Sequence, residues 1–350
     1  MLFAALMAFT ATPVSMVFAH KIGAIDVPKD NRRMHNHPIP RIGGVAIYFA
    51  FALTVLLFCG VNRTVVTILT GGLIIAVMGV VDDVKDLHPL LKLAVQVGVA
   101  AATVGAGFRI QFLNVGGTYI TFPVWFSWII SMGWIVGMTN AINLIDGLDG
   151  LSCGVSMIGS LSLLMIMLTM SPIPPSALII AILAASCMGF LPFNFYPAKI
   201  FMGDGGSLFL GFMIAAMSVV GPLKRSTLIA VVVPVLVLGL PIFDTAFAIF
   251  RRVISHQPIM QADRGHLHHR LMASGYGQRR AVLMLYGISG IMGMAAVLVS
   301  RELITDALVL IAINVVYLYV FLTDPNHKMP MIRAVNVRED EERRRREGEI

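Results

Sequence analysis

Seven carboxylates and three amides stand out in a chain that is otherwise apolar. In Asn140-Ala-Ile-Asn-Leu-Ile-Asp-Gly-Leu-Asp-Gly-Leu151, Asn140, Asn143, Asp146 and Asp149 recur every third residue. On a helical turn such positions share a face. Gly147 and Gly150 let the backbone come close to a ligand. Val81-Asp-Asp-Val-Lys-Asp86 sets Asp82 and Asp86 one helical turn apart, with Asp83 beside them. Carboxylates this close repel unless a cation or a proton compensates, and Lys85 supplies a single charge. A hard divalent cation such as Mg²⁺, with Mn²⁺ the alternative, suits oxygen ligands and is readily shared with phosphates. The plain alternatives are a solvated acidic turn at 82–86 and a helix end with solvated acids at 140–151.

Phe193-Asn-Phe-Tyr-Pro-Ala-Lys-Ile-Phe-Met-Gly-Asp-Gly-Gly-Ser207 places Asp204 among glycines just before an apolar run. Gly203, Gly205 and Gly206 predict a tight turn whose free N–H groups form an anion nest at a helix N-terminus, with Asp204 holding a metal that bridges to phosphate. Asn194 and Phe201 are suited to hydrogen-bonding and stacking on a base. The simpler reading makes Asp204 an N-cap. Asp263-Arg-Gly-His-Leu-His-His-Arg270 gathers Arg264, His266, His268, His269 and Arg270. This spacing is not that of a zinc site; donors facing a pyrophosphate or sugar fit better. Arg41 closes a second basic loop, 29–44, just before a Gly pair. Asp244 lies inside an apolar run, where acids are costly and paired or functional; a structural partner is the favoured role.

These residues need an unusual frame. The 350 residues are 57% hydrophobic and only 13% charged, against about 25% charged in soluble domains. Apolar runs fall at about 1–19, 42–60, 64–81, 90–107, 123–139, 151–170, 175–193, 205–221, 226–250, 281–299 and 303–322. The expected fold is an all-α polytopic membrane protein of about eleven spans, with residues 1–323 as one catalytic domain and 324–350 as a charged tail. With the N-terminus outside and the C-terminus cytoplasmic, the outer loops hold only Arg63, Arg109, Lys224, Arg225 and Arg301 of the 26 Lys and Arg residues. That is the positive-inside pattern, and it accounts for the net charge of +7 without nucleic acid. Cys59, Cys153 and Cys187 are scattered and suggest neither disulfides nor a thiolate metal site. Clustering of the acids on one face argues against a transporter, whose site belongs at the midplane.

NAINLIDGLDGL at 140–151, DDxxD at 82–86, PAKIFMGDGGSLFLGF at 197–212 and HLHHR at 266–270 together resemble the polyprenyl-phosphate N-acetylhexosamine-1-phosphate transferases, of glycosyltransferase 4 type. The likeness runs from the first basic loop to the histidine loop. His-Leu-His-His-Arg resembles the branch that initiates wall teichoic acid and O-antigen synthesis. The peptidoglycan branch, which uses UDP-MurNAc-pentapeptide, carries three consecutive histidines followed by Phe-Glu. The resemblance implies transfer of GlcNAc-1-phosphate from UDP-GlcNAc to undecaprenyl phosphate at the cytoplasmic face of a bacterial plasma membrane, with Mg²⁺ required. It implies that Asp204, with Asn140, holds the metal and that Asp82 and Asp83 meet the lipid phosphate. It further places Asn143, Asp146, Asp149, Asn194 and Phe201 along the uridine and diphosphate, and the histidine loop over the sugar. Family members often pair in the membrane, though no dimer seam is legible. Whether Asp82 and Asp83 take a proton or only position substrate stays open at this level.

Overall fold

A computed structural model describes residues 1–27, 38–115, 118–220, 235–254, 267, 271–272 and 275–323. Among them are eleven helices: α1 Leu2–Ile22, α2 Gly43–Phe58, α3 Arg63–Lys85, α4 Pro89–Gly105, α5 Val124–Leu144, α6 Leu151–Leu168, α7 Ser176–Asn194, α8 Gly203–Val220, α9 Gly239–Ile254, α10 Gln278–Ser300 and α11 Ile304–Thr323. Each of the eleven apolar runs overlaps one of them, though residues 226–234 of the ninth run lie outside the described residues. Six (α1, α3, α6, α7, α8 and α10) are long and apolar enough to cross a membrane; α2, α4 and residues 304–320 of α11 are apolar but shorter. The protein is thus a mostly helical membrane protein.

It is not purely helical. Ile25–Asp26 (β1) pairs antiparallel with Ile39–Pro40 (β2), and Phe112–Val115 (β3) with Thr118–Thr121 (β4). The second pair lies in the gap between two apolar runs, where β-formers flank Gly116-Gly117, a combination that favours a hairpin.

Local chemistry sets the helix ends. The Asn62 side chain caps α3 by accepting from the Val65 N–H at 2.9 Å, and Gly23 closes α1 at φ 74°. Gly150, at φ 79°, ends the turn after α5 and starts α6. The chain runs up and down from α1 to α8. The C-terminal ends of α1, α3, α5 and α7 therefore meet the N-terminal ends of α2, α4, α6 and α8.

α8 is the centre of the bundle, and almost every one of its residues is buried. It packs against α2, α3, α5, α6 and α7. Glycines permit the close approach, as small residues do between membrane helices generally. A Cβ on Gly79 of α3 would lie 2.4 Å from the Gly205 nitrogen, and one on Gly44 of α2 would lie 2.2 Å from the Gly206 nitrogen. Apolar side chains on α1 (Leu2, Leu6, Val14) and α11 (Leu308, Val315, Val316) face outward, where lipid would cover them.

Candidate active site

The helix ends converge on an acid–cation cluster built from three helices and the loop before α2. Asp82 and Asp83 come from the last turn of α3, Lys92 from the first turn of α4, and Asp204 from the first turn of α8. Arg41 stands two residues ahead of α2. Lys92 Nζ lies 2.6 Å from Asp82 Oδ2 and 3.4 Å from Asp204 Oδ2. Arg41 Nε lies 3.0 Å from Asp83 Oδ1, and its terminal nitrogen lies 3.4 Å from Asp204 Oδ1. Asp204 therefore touches both cations at long range and is held tightly by neither.

The two neighbouring acids of α3 differ in what surrounds them. The Asp83 side chain is fully buried, and both its oxygens are taken. Besides Arg41, Oδ1 accepts from the Asp204 N–H at 3.1 Å and Oδ2 from the Gly205 N–H at 3.3 Å. Asp83 is thus the N-terminal cap of α8, supplied by another helix. This corrects the expected phosphate nest: a carboxylate of the chain itself fills it. The glycines there serve close packing, and Gly203, at φ 72°, leaves no room for a Cβ beside Arg41 O and Asp83 Oδ2. Asp82 accepts from the Leu87 N–H through Oδ1 at 2.8 Å and faces Lys92 with Oδ2. Asp86 takes the left-handed C-cap position at φ 48° and points to solvent, as does Lys85. The expected triad of 82, 83 and 86 is therefore a pair, and the compensating cation is Lys92, not Lys85.

The stripe from Asn140 to Asp149 is half helix and half turn. Asn140 and Asn143 lie on the last turns of α5, and Asp146 and Asp149 on the turn into α6. The Asn140 amide exchanges hydrogen bonds with Gln96, and its Nδ2 also donates to Val136 O at 2.8 Å. The Asn143 amide donates to Ser207 Oγ at 2.8 Å and interacts with the Asp204 carboxylate. Asn143, not Asn140, is thus the amide beside Asp204. Burial, then repulsion by Asp204, pushes the Asp146 carboxyl up to about 8, while Arg41 pulls it the other way. Burial opposes the charge of Arg41, but Asp83, Asp204, Asp146 and Asp82 outweigh it and raise its pKa. Asp149 accepts from the Ala198 N–H at 2.9 Å and so ties the turn to the 193–207 segment.

In that segment Asn194 donates to Ile200 O at 3.0 Å, while its Oδ1 is buried with no partner among the described residues. Phe201 contributes its backbone: its N–H donates to Pro40 O at 2.8 Å, and its carbonyl accepts from the Gly43 N–H at 2.9 Å. Arg264, His266, His268 and His269, the basic loop before position 38 and the tail lie outside the described residues.

Sequence reasoning missed Lys92 and Gln96 as site residues. Their signal was a lone Lys and a lone Gln one turn apart on an otherwise apolar helix.

The donor set fits a hard cation. Three acids face two cations, Asp204 stands 3.4 Å from each cation, and its other neighbours are the Asp82 carboxyl and the Asn143 amide. Among the described residues no group of three His, Cys, Asp or Glu that could hold a metal ion by itself is present. A Mg²⁺ ion at Asp204 would therefore need waters and substrate phosphates to complete its shell, as Mg²⁺ sites commonly have.

The family model described as glycosyl transferase family 4 matches residues 65–222. The chain is 41% identical over 313 residues to a probable undecaprenyl-phosphate N-acetylglucosaminyl 1-phosphate transferase of Bacillus subtilis, covering 88% of this chain and 86% of the relative. It is 34% identical to a decaprenyl-phosphate N-acetylglucosaminephosphotransferase of Mycolicibacterium smegmatis, over 84% of this chain and 79% of that one. A phospho-N-acetylmuramoyl-pentapeptide-transferase of Staphylococcus haemolyticus is 35% identical over a shorter span, 52% of this chain and 56% of the relative.

Proposed function

The chain belongs to glycosyl transferase family 4, and we propose that it transfers GlcNAc-1-phosphate from UDP-GlcNAc to undecaprenyl phosphate, giving undecaprenyl-diphosphate-GlcNAc and UMP. The observation that carries this reading is the junction of Asp82, Asp83 and Asp204 with Arg41 and Lys92, in a chain 41% identical to a relative named for that transfer. The peptidoglycan reaction is the second reading; its relative matches over only about half of this chain.

The nucleophile is an oxygen of the lipid phosphate, and the target is the β-phosphorus of the nucleotide sugar. A bond forms between them, the bond from the β-phosphorus to the bridging oxygen breaks, and UMP leaves with the electron pair. Much of the lipid phosphate is already dianionic at neutral pH, because its second pKa is near 6, so an abstracting base adds little. Charge neutralisation and in-line placement are the larger demands. Lys92, between Asp82 and Asp204, is placed to meet one phosphate. Arg41 is placed to meet another from the opposite side of Asp204. Asp83 fixes α8, and so the position of Asp204. A bound Mg²⁺, held by Asp204 beside the Asn143 amide, would neutralise charge on the two substrates and on departing UMP. Asp146 and Asp149 shape the turn along the nucleotide, and Asn194 Oδ1, without a partner among the described residues, is suited to accept from a base N–H.

This reading places the cluster on the cytoplasmic face of a bacterial plasma membrane, with eleven spans, the N-terminus outside and the C-terminus inside. Purified protein should release UMP from UDP-GlcNAc only when undecaprenyl phosphate and Mg²⁺ are both present, and excess chelator should stop it. A panel of UDP-GlcNAc, UDP-GalNAc and UDP-MurNAc-pentapeptide separates the branches; turnover with the pentapeptide donor alone would overturn the assignment.

A further inference from the structure

α10 contributes no residue to the acid–cation cluster, yet it reaches the turn that borders it. Tyr286 of α10 donates from its hydroxyl to the Gly150 carbonyl at 2.5 Å. Its ring lies in a slot on α6 that exists because residue 154 is glycine: a Cβ there would overlap the ring carbon that bears the hydroxyl. The same ring stands 6.4 Å from that of Phe195, centroid to centroid. A Cβ on Gly150 would lie 3.2 Å from Phe195 Cα and 3.3 Å from the Tyr286 oxygen. Leu285, the preceding residue, lines a small cavity with Ile145 and Leu151, which flank the turn. Gly150 follows Asp149 and Phe195 follows Asn194, so one side chain of α10 touches both the 145–151 turn and the end of α7.

We infer that Tyr286 is a positioning residue, which clamps the start of α6 and thereby sets where Asp146 and Asp149 stand beside the end of α7, on the nucleotide-sugar side of the site. A buried tyrosine hydroxyl needs a partner. The carbonyl it takes belongs to a glycine at φ 79°, a residue type whose backbone is the least restrained by its own side chain. Gly150 O already accepts the helical bond from the Gly154 N–H at 2.9 Å. The hydroxyl is therefore not required to satisfy that carbonyl; what it adds is a fixed direction for the turn. Asp149 depends on that direction, because its bond to the Ala198 N–H, at 2.9 Å, spans from the turn to the 193–207 segment.

The consequence for substrate binding rests on the proposed function, whereas the clamp itself does not, and the test separates them. Full-length protein in lipid nanodiscs is compared as wild type, Tyr286→Phe, Gly154→Ala and the two combined. Tyr286→Phe keeps the ring and removes only the hydroxyl. Hydrogen exchange of the peptide spanning residues 146–151, measured without substrate, should become faster in Tyr286→Phe. Its Tm should stay close to wild type, since no buried group loses its last partner. In UMP-release assays its KM for UDP-GlcNAc should rise about three- to tenfold, the span of one net hydrogen bond, with KM for undecaprenyl phosphate unchanged. Gly154→Ala should expel the ring and cause at least the same rise. The combined variant should be no worse than Gly154→Ala alone, because the hydroxyl no longer reaches Gly150. Unchanged exchange in Tyr286→Phe would overturn the inference. So would a lower Tm with both KM values unchanged, which marks a merely structural role, equal rises in both KM values, or additive losses in the combined variant. If Gly154→Ala does not fold, Tyr286→Phe alone decides. If wild type releases no UMP, the functional reading fails while the exchange result still judges the clamp.

Discussion

Asp82 and Asp83 are adjacent in sequence, yet the site uses them differently. Asp83 is enclosed by Arg41 and two N–H groups of α8, so its expected role is to hold α8, not to take a proton. Asp83→Ala would leave those N–H groups without a partner in a buried place. It should cost about 1–3 kcal/mol, read as a lower Tm of the purified protein. Asp83→Asn should lose activity equally at all pH values, because its defect is geometric; recovery at high pH would instead support a base. Lys92 gives a complementary test. Lys92→Met would leave Asp82 and Asp204 facing each other without their shared cation, and should lower kcat by about 10²–10³, the usual cost of removing one charge-stabilising donor. Lys92→Arg should recover part of that loss. A kcat for Lys92→Met within a few-fold of wild type would remove Lys92 from the chemistry.

At the scale of helices, the site depends on how near α3, α2 and α8 can approach. Gly79→Ala would place a Cβ 2.4 Å from the Gly205 nitrogen, and backbone cannot yield as a flexible side chain can. The expected result is separation of α3 from α8, loss of the Asp83 cap and little or no activity, with reduced yield of folded protein. Gly98→Ala on α4 is the control, since nothing lies within 4 Å of its added Cβ; activity and Tm should match or exceed wild type. Sequence pattern located the helices well, because uninterrupted apolar runs have no other stable form in lipid. It failed where one element completes another. Gly203, Gly205 and Gly206 read as an open nest because local sequence cannot show that Asp83, 120 residues away, fills it. Lys92 went unnoticed for the same reason: its two acid partners come from different helices. The hairpin of β3 and β4 was overlooked because it lies between spans, where hydropathy carries no signal.

Over the whole molecule, the alternation of α1 to α8 brings Arg41, Asp82, Asp83, Lys92, Asn143, Asp146, Asp149 and Asp204 to one end of the bundle. Asn62, Arg63 and the β3–β4 hairpin lie at the other. In the proposed orientation the second end, sparse in positive charge, is external, and the first end, which carries Lys85, Lys92, Lys199 and Arg41, faces the cytoplasm, as the positive-inside rule favours. Single cysteines test this directly. With Cys59 replaced by Ala, Cys153 and Cys187 remain, both buried. Val61, Asp86 and Tyr196 are exposed and stand at opposite ends, so each can be changed to Cys in turn. A membrane-impermeant maleimide added to intact cells should label Val61→Cys alone. Inverted vesicles should reverse the pattern, labelling Asp86→Cys and Tyr196→Cys. If the last two label from opposite sides of the membrane, the end of α3 and the loop before α8 do not share a compartment. In that event no divalent ion held by Asp204 could serve a phosphate beside Asp82.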